Sequence, residues 1–329
     1  MARHANLAFF VPHLGCPHAC VFCDQKSISG EEAMPTPAEV TALCERMLPQ
    51  QGSRTEIAFF GGSFTAIDRA VMTALLQAAY PFVESGRAAG IRISTRPDAI
   101  DAERLQLLRA YGVTAIELGA QSMDDAVLRK NGRGHTAGDV RRASALIREA
   151  GFELGLQMMV GMYGEADAAA AAEHTAAELL ALSPATVRIY PTVVVQGTAL
   201  AQLWQSGRYS PLTAEQAVEI CAPLMRRFRE AGVRVIRVGL HSEQSLQQSL
   251  LAGPFHPAFG ELCEGRILRD ALETLAGSCT ELTVLCEPRM LSALQGHKKA
   301  NVRYFAQKGV ALTVKADASV TGFRPVCVK

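Results

Sequence analysis

The chain has 329 residues, 49% hydrophobic and 20% charged, with a formal net charge of +1. That length suits one α/β barrel, alone or with a small appendage, and the near-neutral charge excludes a global basic field while leaving room for local patches. No run reaches the roughly 18 apolar residues of a spanning helix, and the N-terminal stretch breaks at Pro12 and His13, so neither a membrane span nor a signal peptide is expected.

In chain order, short apolar or β-branched runs alternate with Ala/Leu/Arg-rich helical stretches. The first run, residues 7–11, leads into Gly15-Cys16-Pro17-His18-Ala19-Cys20-Val21-Phe22-Cys23-Asp24. A helix is expected over 37–48, because Thr36-Pro37-Ala38-Glu39 offers an N-cap followed by proline at the first helical position. Further strands are expected at 57–60, 91–95, 115–118, 154–160 and 187–190, and further helices at 69–84, 101–110, 137–150 and 166–182. Gly112 and Gly151 stand where helix C-caps belong, and Glu173, His174 and Glu178 suit a solvated face of the Ala-rich last helix. Six strand–helix units imply a parallel sheet, which periodicity alone leaves open between a partial barrel and a doubly wound sheet. After about residue 240 the texture changes. Gly253-Pro254-Phe255-His256-Pro257 is a breaker cluster, and apolar runs follow at 282–286 and 311–314, with helical stretches flanking the first. The expected division is a core at 1–240 and a small α/β extension at 241–329.

The nine cysteines belong to a chain expected to be cytoplasmic, where clustered thiols favour metal or redox work over bridges. Cys16, Cys20 and Cys23 have C-x3-C-x2-C spacing directly after the first strand. Three thiolates can hold one face of a 4Fe–4S cubane and leave one iron open to a substrate or cosubstrate. A zinc site that uses His13 or His18 as a fourth ligand is the competing reading. Cys44, Cys221, Cys263, Cys279, Cys286 and Cys327 sit among apolar neighbours and read as small core residues.

The triad resembles the CxxxCxxC signature of radical S-adenosylmethionine (SAM) enzymes. Phe59-Phe60-Gly61-Gly62-Ser63-Phe64-Thr65 resembles their glycine-rich motif for the methionine part of SAM. Ser94-Thr95-Arg96-Pro97-Asp98, the stretch 116–122, Asn131-Gly132-Arg133-Gly134-His135-Thr136 and Arg188-Ile189-Tyr190-Pro191-Thr192 narrow the resemblance to the radical-SAM half of the elongator catalytic subunit. Oxygen-independent coproporphyrinogen oxidase is a more distant likeness. The resemblance implies a partial (β/α)6 TIM-like barrel, a 4Fe–4S cluster and SAM. It also implies that Gly61, Gly62, Ser63, Gln121 and Arg133 bind the cofactor. Ser94 and Gln157 depart from the glutamate and aspartate of relatives, while Arg96-Pro97-Asp98 and Tyr190 are candidates for the substrate side.

The leading functional reading is reductive cleavage of SAM to a 5′-deoxyadenosyl radical that abstracts hydrogen from an unidentified substrate, with electrons from a flavodoxin or ferredoxin. The substrate is a small molecule or a tRNA. For tRNA, three basic groups (Arg129, Lys130, Arg133, Arg141, Arg142; Arg226, Arg227, Arg229; Lys298, Lys299, Arg303) are candidate phosphate contacts, although such runs are more often solvated faces. A non-catalytic iron–sulfur or zinc-stabilised binding protein is the third reading. The last ~90 residues show no acetyl-CoA loop, so acetyl transfer is not expected to carry over.

Overall fold

The computed structural model describes residues 5–12, 20–24, 33–50, 54–277 and 279–328. Its main sheet is a curled parallel half-barrel in the order β1 (Ala5–Val11), β2 (Thr55–Gly61), β3 (Gly90–Thr95), β4 (Val113–Gln121), β5 (Glu153–Val160), β6 (Thr186–Pro191) and β8 (Arg234–Val238). The short β7 (Val194–Val195) pairs instead with β9 (Leu250–Ala252). The six expected strands are all present, and β8 adds a seventh at the open edge.

The helices between the strands are α1 (Pro37–Met47), α2 (Arg69–Glu84), α3 (Ala102–Ala110), α4 (Asp125–Lys130), α5 (Ala137–Glu149), α6 (Ala168–Ala181), α7 (Ala199–Gln205) and α8 (Ala214–Glu230), of which α4 and α7 pack around Cys20 and Phe22. Each begins at an Asp or Thr whose side chain accepts from a first-turn N–H; Thr36, Thr136 and Thr213 complete reciprocal capping boxes. These caps stop each strand-to-helix turn from running on as extended chain.

The strands alternate with period two. Ile57, Phe59, Ile91, Ile93, Ile116, Leu118, Leu154, Leu156, Val187 and Ile189 join the helices in one apolar core. Their strand neighbours Glu56, Arg92, Glu117, Glu153 and Arg188 meet across the barrel interior. Arg92 donates to Glu56 at 2.7 Å, to Glu153 at 2.7 Å and to Glu117 at 3.4 Å. Arg188 grips both oxygens of Glu117, at 2.7 and 3.1 Å, and Arg234 grips both of Glu153 at 2.9 Å. Arg92 and Arg188 thus face Glu56 and Glu117 in the buried part of the set, which makes their burial tolerable, while Glu153 and exposed Arg234 close it toward solvent.

The chain continues through α9 (Gln244–Ser249) and α10 (Phe259–Ala276) to β10 (Glu281–Cys286), α11 (Leu291–Gln295), α12 (Ala300–Gln307), β11 (Ala311–Ala316) and β12 (Phe323–Val328). The last three strands form a separate sheet, β11-β10-β12. Phe259 and Cys263 of α10 lie in the barrel core, whereas Leu268 and Leu272 lie in a second core under this small sheet. Cys44, Cys221, Cys263 and Cys286 are buried thiols, as expected. Cys279 departs from expectation and is disulfide-bonded: two thiols brought close by folding can join, which sequence spacing does not reveal. The Cys327 side chain lies outside the described ones. Among the described residues, no helix is long and apolar enough to cross a membrane.

The arginine cluster makes a direct prediction. Arg92→Met removes the guanidinium from Glu56, Glu117 and Glu153 in a buried site, and is expected to cost about 3–5 kcal/mol of stability. Urea denaturation checks this, and a loss below ~1 kcal/mol would show that the interior tolerates the stranded carboxylates.

Candidate active site

A cavity of about 230 Å³ opens at the C-terminal ends of the strands, where parallel α/β folds place their sites. Cys20 and Cys23 line one side, Gly61, Gly62 and Ser63 another, and Gln121 and Arg133 the floor between them. Cys16 lies outside the described residues, as do His13 and His18 of the zinc alternative.

The turn at 20–24 is held by the strand-end loops around it. Val21 N–H donates to the Asn131 carbonyl at 3.1 Å, and Leu200 N–H donates to the Val21 carbonyl at 2.7 Å. Cys20 and Phe22 pack with Val127, Met162, Leu200 and Tyr209 in a small apolar cluster. Gly62 sits close to the end of β1: its N–H donates to the Val11 carbonyl at 2.6 Å, and a Cβ there would come within 2.7 Å of the Pro12 carbonyl oxygen. The glycine motif therefore lets β1 and β2 end side by side at the cavity.

Arg133 is buried, contrary to a surface role. One guanidinium nitrogen lies 3.3 Å from Cys20 Sγ and another donates to the Gly119 carbonyl at 2.8 Å, while Nε is buried with no protein partner. Gly119 leaves the space that the two side-chain ends fill: a Cβ there would come within 2.8 Å of Gln121 Nε2 and 3.3 Å of Arg133 Nη2. A register shift between Gly119 and Gln121 ends the β4–β5 ladder, and Gln121 takes φ 66°, a conformation costly for a non-glycine residue. Its buried Oε1 has no protein partner; nor do Ser94 Oγ and Arg96 Nη1 in the same cavity.

Other residues hold Arg133 in place. Arg96 donates to the Arg133 carbonyl at 2.6 Å and grips Asp98 with two bonds, at 2.9 and 3.1 Å. The His135 ring lies 3.1 Å from the Ala120 carbonyl, which ties the 131–136 loop to the end of β4. Burial, with the Arg133 charge added, depresses the His135 pKa to about 4. On the far wall, Gln157 reaches toward Glu117 at 3.4 Å and the Tyr190 hydroxyl lies 3.5 Å from Arg188. Burial raises the Tyr190 phenol above its ordinary pKa despite Arg188, so it enters neutral pH as an O–H group. Phe10, Phe22 and Phe60 supply the apolar surface, with Arg188 4.9 Å over the Phe60 ring. Sequence reasoning missed Gly119 and the pinning role of His135. Both fell inside recognised motifs, but their work depends on contacts across the loop.

A half-barrel with two thiols, a buried cation and partnerless donors and acceptors around one cavity at the strand ends has the features of a binding site for a polar ligand. Comparison with known proteins agrees. The Radical SAM superfamily model matches residues 10–174, and the Radical SAM C-terminal domain model matches residues 184–269. The chain belongs to the radical SAM superfamily, whose members use a 4Fe–4S cluster and SAM. A tRNA uridine(34) acetyltransferase of Dehalococcoides mccartyi is 29% identical over 239 residues, covering 62% of this chain and 52% of that protein. The chain thus spans about half the length of this curated relative. An archaeal Elp3 structure from Methanocaldococcus infernus shares the fold with a TM-score of 0.65 at 22% identity, covering 82% of this chain and 63% of that one. Coproporphyrinogen III oxidase from Escherichia coli gives 0.52 at 17% identity, covering 69% and 52%.

His135 gives this site a pH signature. Its folded pKa lies below the unfolded value of roughly 6.5. The unfolded chain therefore binds the proton first, and stability is full above about pH 6.5 and falls toward about pH 4. The loss from this residue is on the order of 3 kcal/mol. Denaturation of wild type and His135→Gln across this window checks it; parallel pH profiles would sink the assignment.

Proposed function

We propose that this chain binds SAM in the barrel-mouth cavity and cleaves it reductively, with Cys16, Cys20 and Cys23 holding the 4Fe–4S cluster. The observation that carries this reading is the set of buried, partnerless polar atoms beside two of the three cysteines: Arg133 Nε, Gln121 Oε1 and Ser94 Oγ. The methionine end of SAM bears a carboxylate and an ammonium, and these residues fit it. The Arg133 guanidinium suits the carboxylate, while Gln121 Oε1 and the peptide carbonyls of the 61–63 turn suit the ammonium. When bound, the cluster supplies the electron that cleaves the sulfonium, and the 5′-deoxyadenosyl radical so released abstracts a substrate hydrogen. The protein's part is to hold SAM against the cluster and to line the cavity with Phe10, Phe22 and Phe60, which keep water from competing. Tyr190, Gln157 and Arg188 line the wall facing the cysteines and present hydrogen-bonding groups to a substrate. The electrons come from a low-potential donor such as a flavodoxin or ferredoxin.

A second reading concerns the substrate. The curated relative is named for action on a tRNA uridine, which supports an RNA nucleoside as the hydrogen donor. Incubation of reconstituted enzyme, SAM, reductant and RNA, followed by nucleoside mass spectrometry, tests that reading, and an unchanged nucleoside profile counts against it.

Anaerobic reconstitution tests the central reading. Wild type with dithionite is expected to release 5′-deoxyadenosine from SAM. Cys20→Ala is expected to lose both the iron–sulfur absorbance and that product. Arg133→Met is expected to keep the absorbance and weaken SAM binding by roughly tenfold to a hundredfold, the scale of a lost hydrogen bond to a charged group. Wild-type protein with an intact cluster and no deoxyadenosine would overturn the proposal.

A further inference from the structure

The structure sorts the three basic groups singled out in the sequence. In the first, Arg133 points into the barrel, Arg141 pairs with Glu178 and Arg142 with Asp139, Lys130 donates to the Gly164 carbonyl at 3.4 Å, and exposed Arg129 has no carboxylate within ion-pair distance among the described residues. In the second, Arg226, Arg227 and Arg229 pair with Glu230, Glu173 and Glu264. In the third, all three cations lack a carboxylate partner. Elsewhere in the small C-terminal unit, Arg266, Arg269, Arg289 and Lys308 have carboxylate partners, and Lys315 on β11 is a single exposed cation without one among the described residues. Among the described residues, no carboxylate lies within ion-pair distance of Lys298, Lys299 or Arg303, all exposed. This loop is the unit's concentration of unneutralised positive charge.

The architecture around it is specific. The order is β10, α11, a tight loop, α12, β11, with β10 and β11 parallel neighbours and β12 antiparallel on the other side of β10. A β-α-loop-α-β core with a G-x-x-G loop between the helices is the build of KH modules, whose loop clamps the backbone of about four nucleotides. Here the loop reads Gly296-His297-Lys298-Lys299. A Cβ at Gly296 would meet Asn301 N at 2.9 Å and Asn301 Cγ at 3.0 Å, and its φ is +74°, so the first glycine is required. Lysine stands at the fourth position, yet its φ of 60° is the left-handed conformation a glycine would supply. Lys298 is left-handed too, at φ 49°. Two successive lysines thus hold left-handed backbone in the loop.

The loop is also built to hold its shape. Buried Asn301 donates from one amide nitrogen to the Gly265 carbonyl at 2.9 Å and the Leu294 carbonyl at 3.1 Å. Arg303 donates to the Lys298 carbonyl. Beside it His256 and His297 meet edge to face, 4.9 Å apart, and are only half-buried. Imidazole faces of this kind stack nucleobases.

We propose that this C-terminal unit is a single-stranded RNA-binding module, in which Lys298 and Lys299 contact the phosphate backbone and His297 with His256 offers a base-stacking surface. Backbone-led recognition of this kind tolerates sequence and needs unpaired strands, because the loop grips a flexible backbone. The inference goes beyond the barrel chemistry and does not require the barrel's substrate to be RNA.

Fluorescence anisotropy on the full chain tests it, with a labelled single-stranded RNA of about ten nucleotides, longer than the roughly four a KH loop holds. Wild type is expected to bind. Lys298→Glu with Lys299→Glu is expected to weaken binding about tenfold or more and to lower the slope of log affinity against log salt by about 1.4, two phosphates' worth for a single strand. Melting temperature and deoxyadenosine release are expected to stay unchanged, since the loop lies outside the barrel cavity. Failure of the barrel reading would remove deoxyadenosine from both proteins and leave the RNA result standing. Equal binding by the double variant overturns the proposal, as does absence of wild-type binding. Displacement of the RNA by polyglutamate or phosphatidylserine vesicles as readily as by unlabelled RNA overturns it in favour of a protein or membrane partner.

Discussion

Glu117, 1% exposed, lies between Arg92 and Arg188 in the barrel interior, and the arrangement of the cavity depends on that contact. A carboxylate there is tolerable only with its charge matched and its lone pairs occupied, and the two guanidinium groups do both. Gly155 makes the room: a Cβ there would come within 2.7 Å of Glu117 Cγ. The network closes the lower barrel with ion pairs instead of apolar packing, so five neighbouring strands are tied together on their inner face. It also fixes Arg188 beneath Tyr190 and against Phe60, which sets the cavity wall facing the cysteines. The substrate wall is thus an extension of the structural charge network, and its polarity follows from the network's geometry.

The opposite wall uses another device. The bulge at the end of β4, the left-handed Gln121 and the tight 131–136 loop bring two side chains across Gly119 that a regular strand would point apart. The strain at Gln121 is offset by fixed contacts nearby: Arg96 on the Arg133 carbonyl, His135 on the Ala120 carbonyl and Asn131 on the Tyr163 carbonyl. Ser94 Oγ, Arg96 Nη1, Gln121 Oε1 and Arg133 Nε are left partnerless where the cavity opens, so the protein carries their desolvation cost where a zwitterionic ligand can relieve it.

Much of this was legible in the sequence because the strands are short, β-branched and cleanly punctuated. The 37–48 helix follows from a capping box that Thr36 and Glu39 form as written. The glycine motif, Cys20 and Cys23 all line the cavity at the strand ends. The interior was less legible. Glu56, Arg92, Glu117, Glu153 and Arg188 alternate with apolar residues, a period-two signal, but single charges in apolar runs do not announce their partners on other strands. Arg133 read both as a cofactor contact and as one of a basic group, and only the folded loop, which buries it, separates the two. Strand β8 reads as a weak alternation of arginine and valine because it is an exposed edge with one neighbour. The left-handed pair at Lys298 and Lys299 has no sequence marker, because glycine is the residue that would ordinarily give it away.

Helix α10 connects these parts mechanically. Over its 18 residues, about 27 Å at the usual helical rise, its first half packs into the barrel core and its second half into the core of the small sheet. Gly265 lies between the two, close enough to the loop that a Cβ would stand 3.6 Å from Gly296 Cα, and its carbonyl accepts from Asn301. The residue that shapes the basic loop is therefore bonded to a helix that the barrel itself holds. Because the joint is a continuous helix shared by two cores and not a linker, the loop keeps a fixed bearing relative to the barrel mouth.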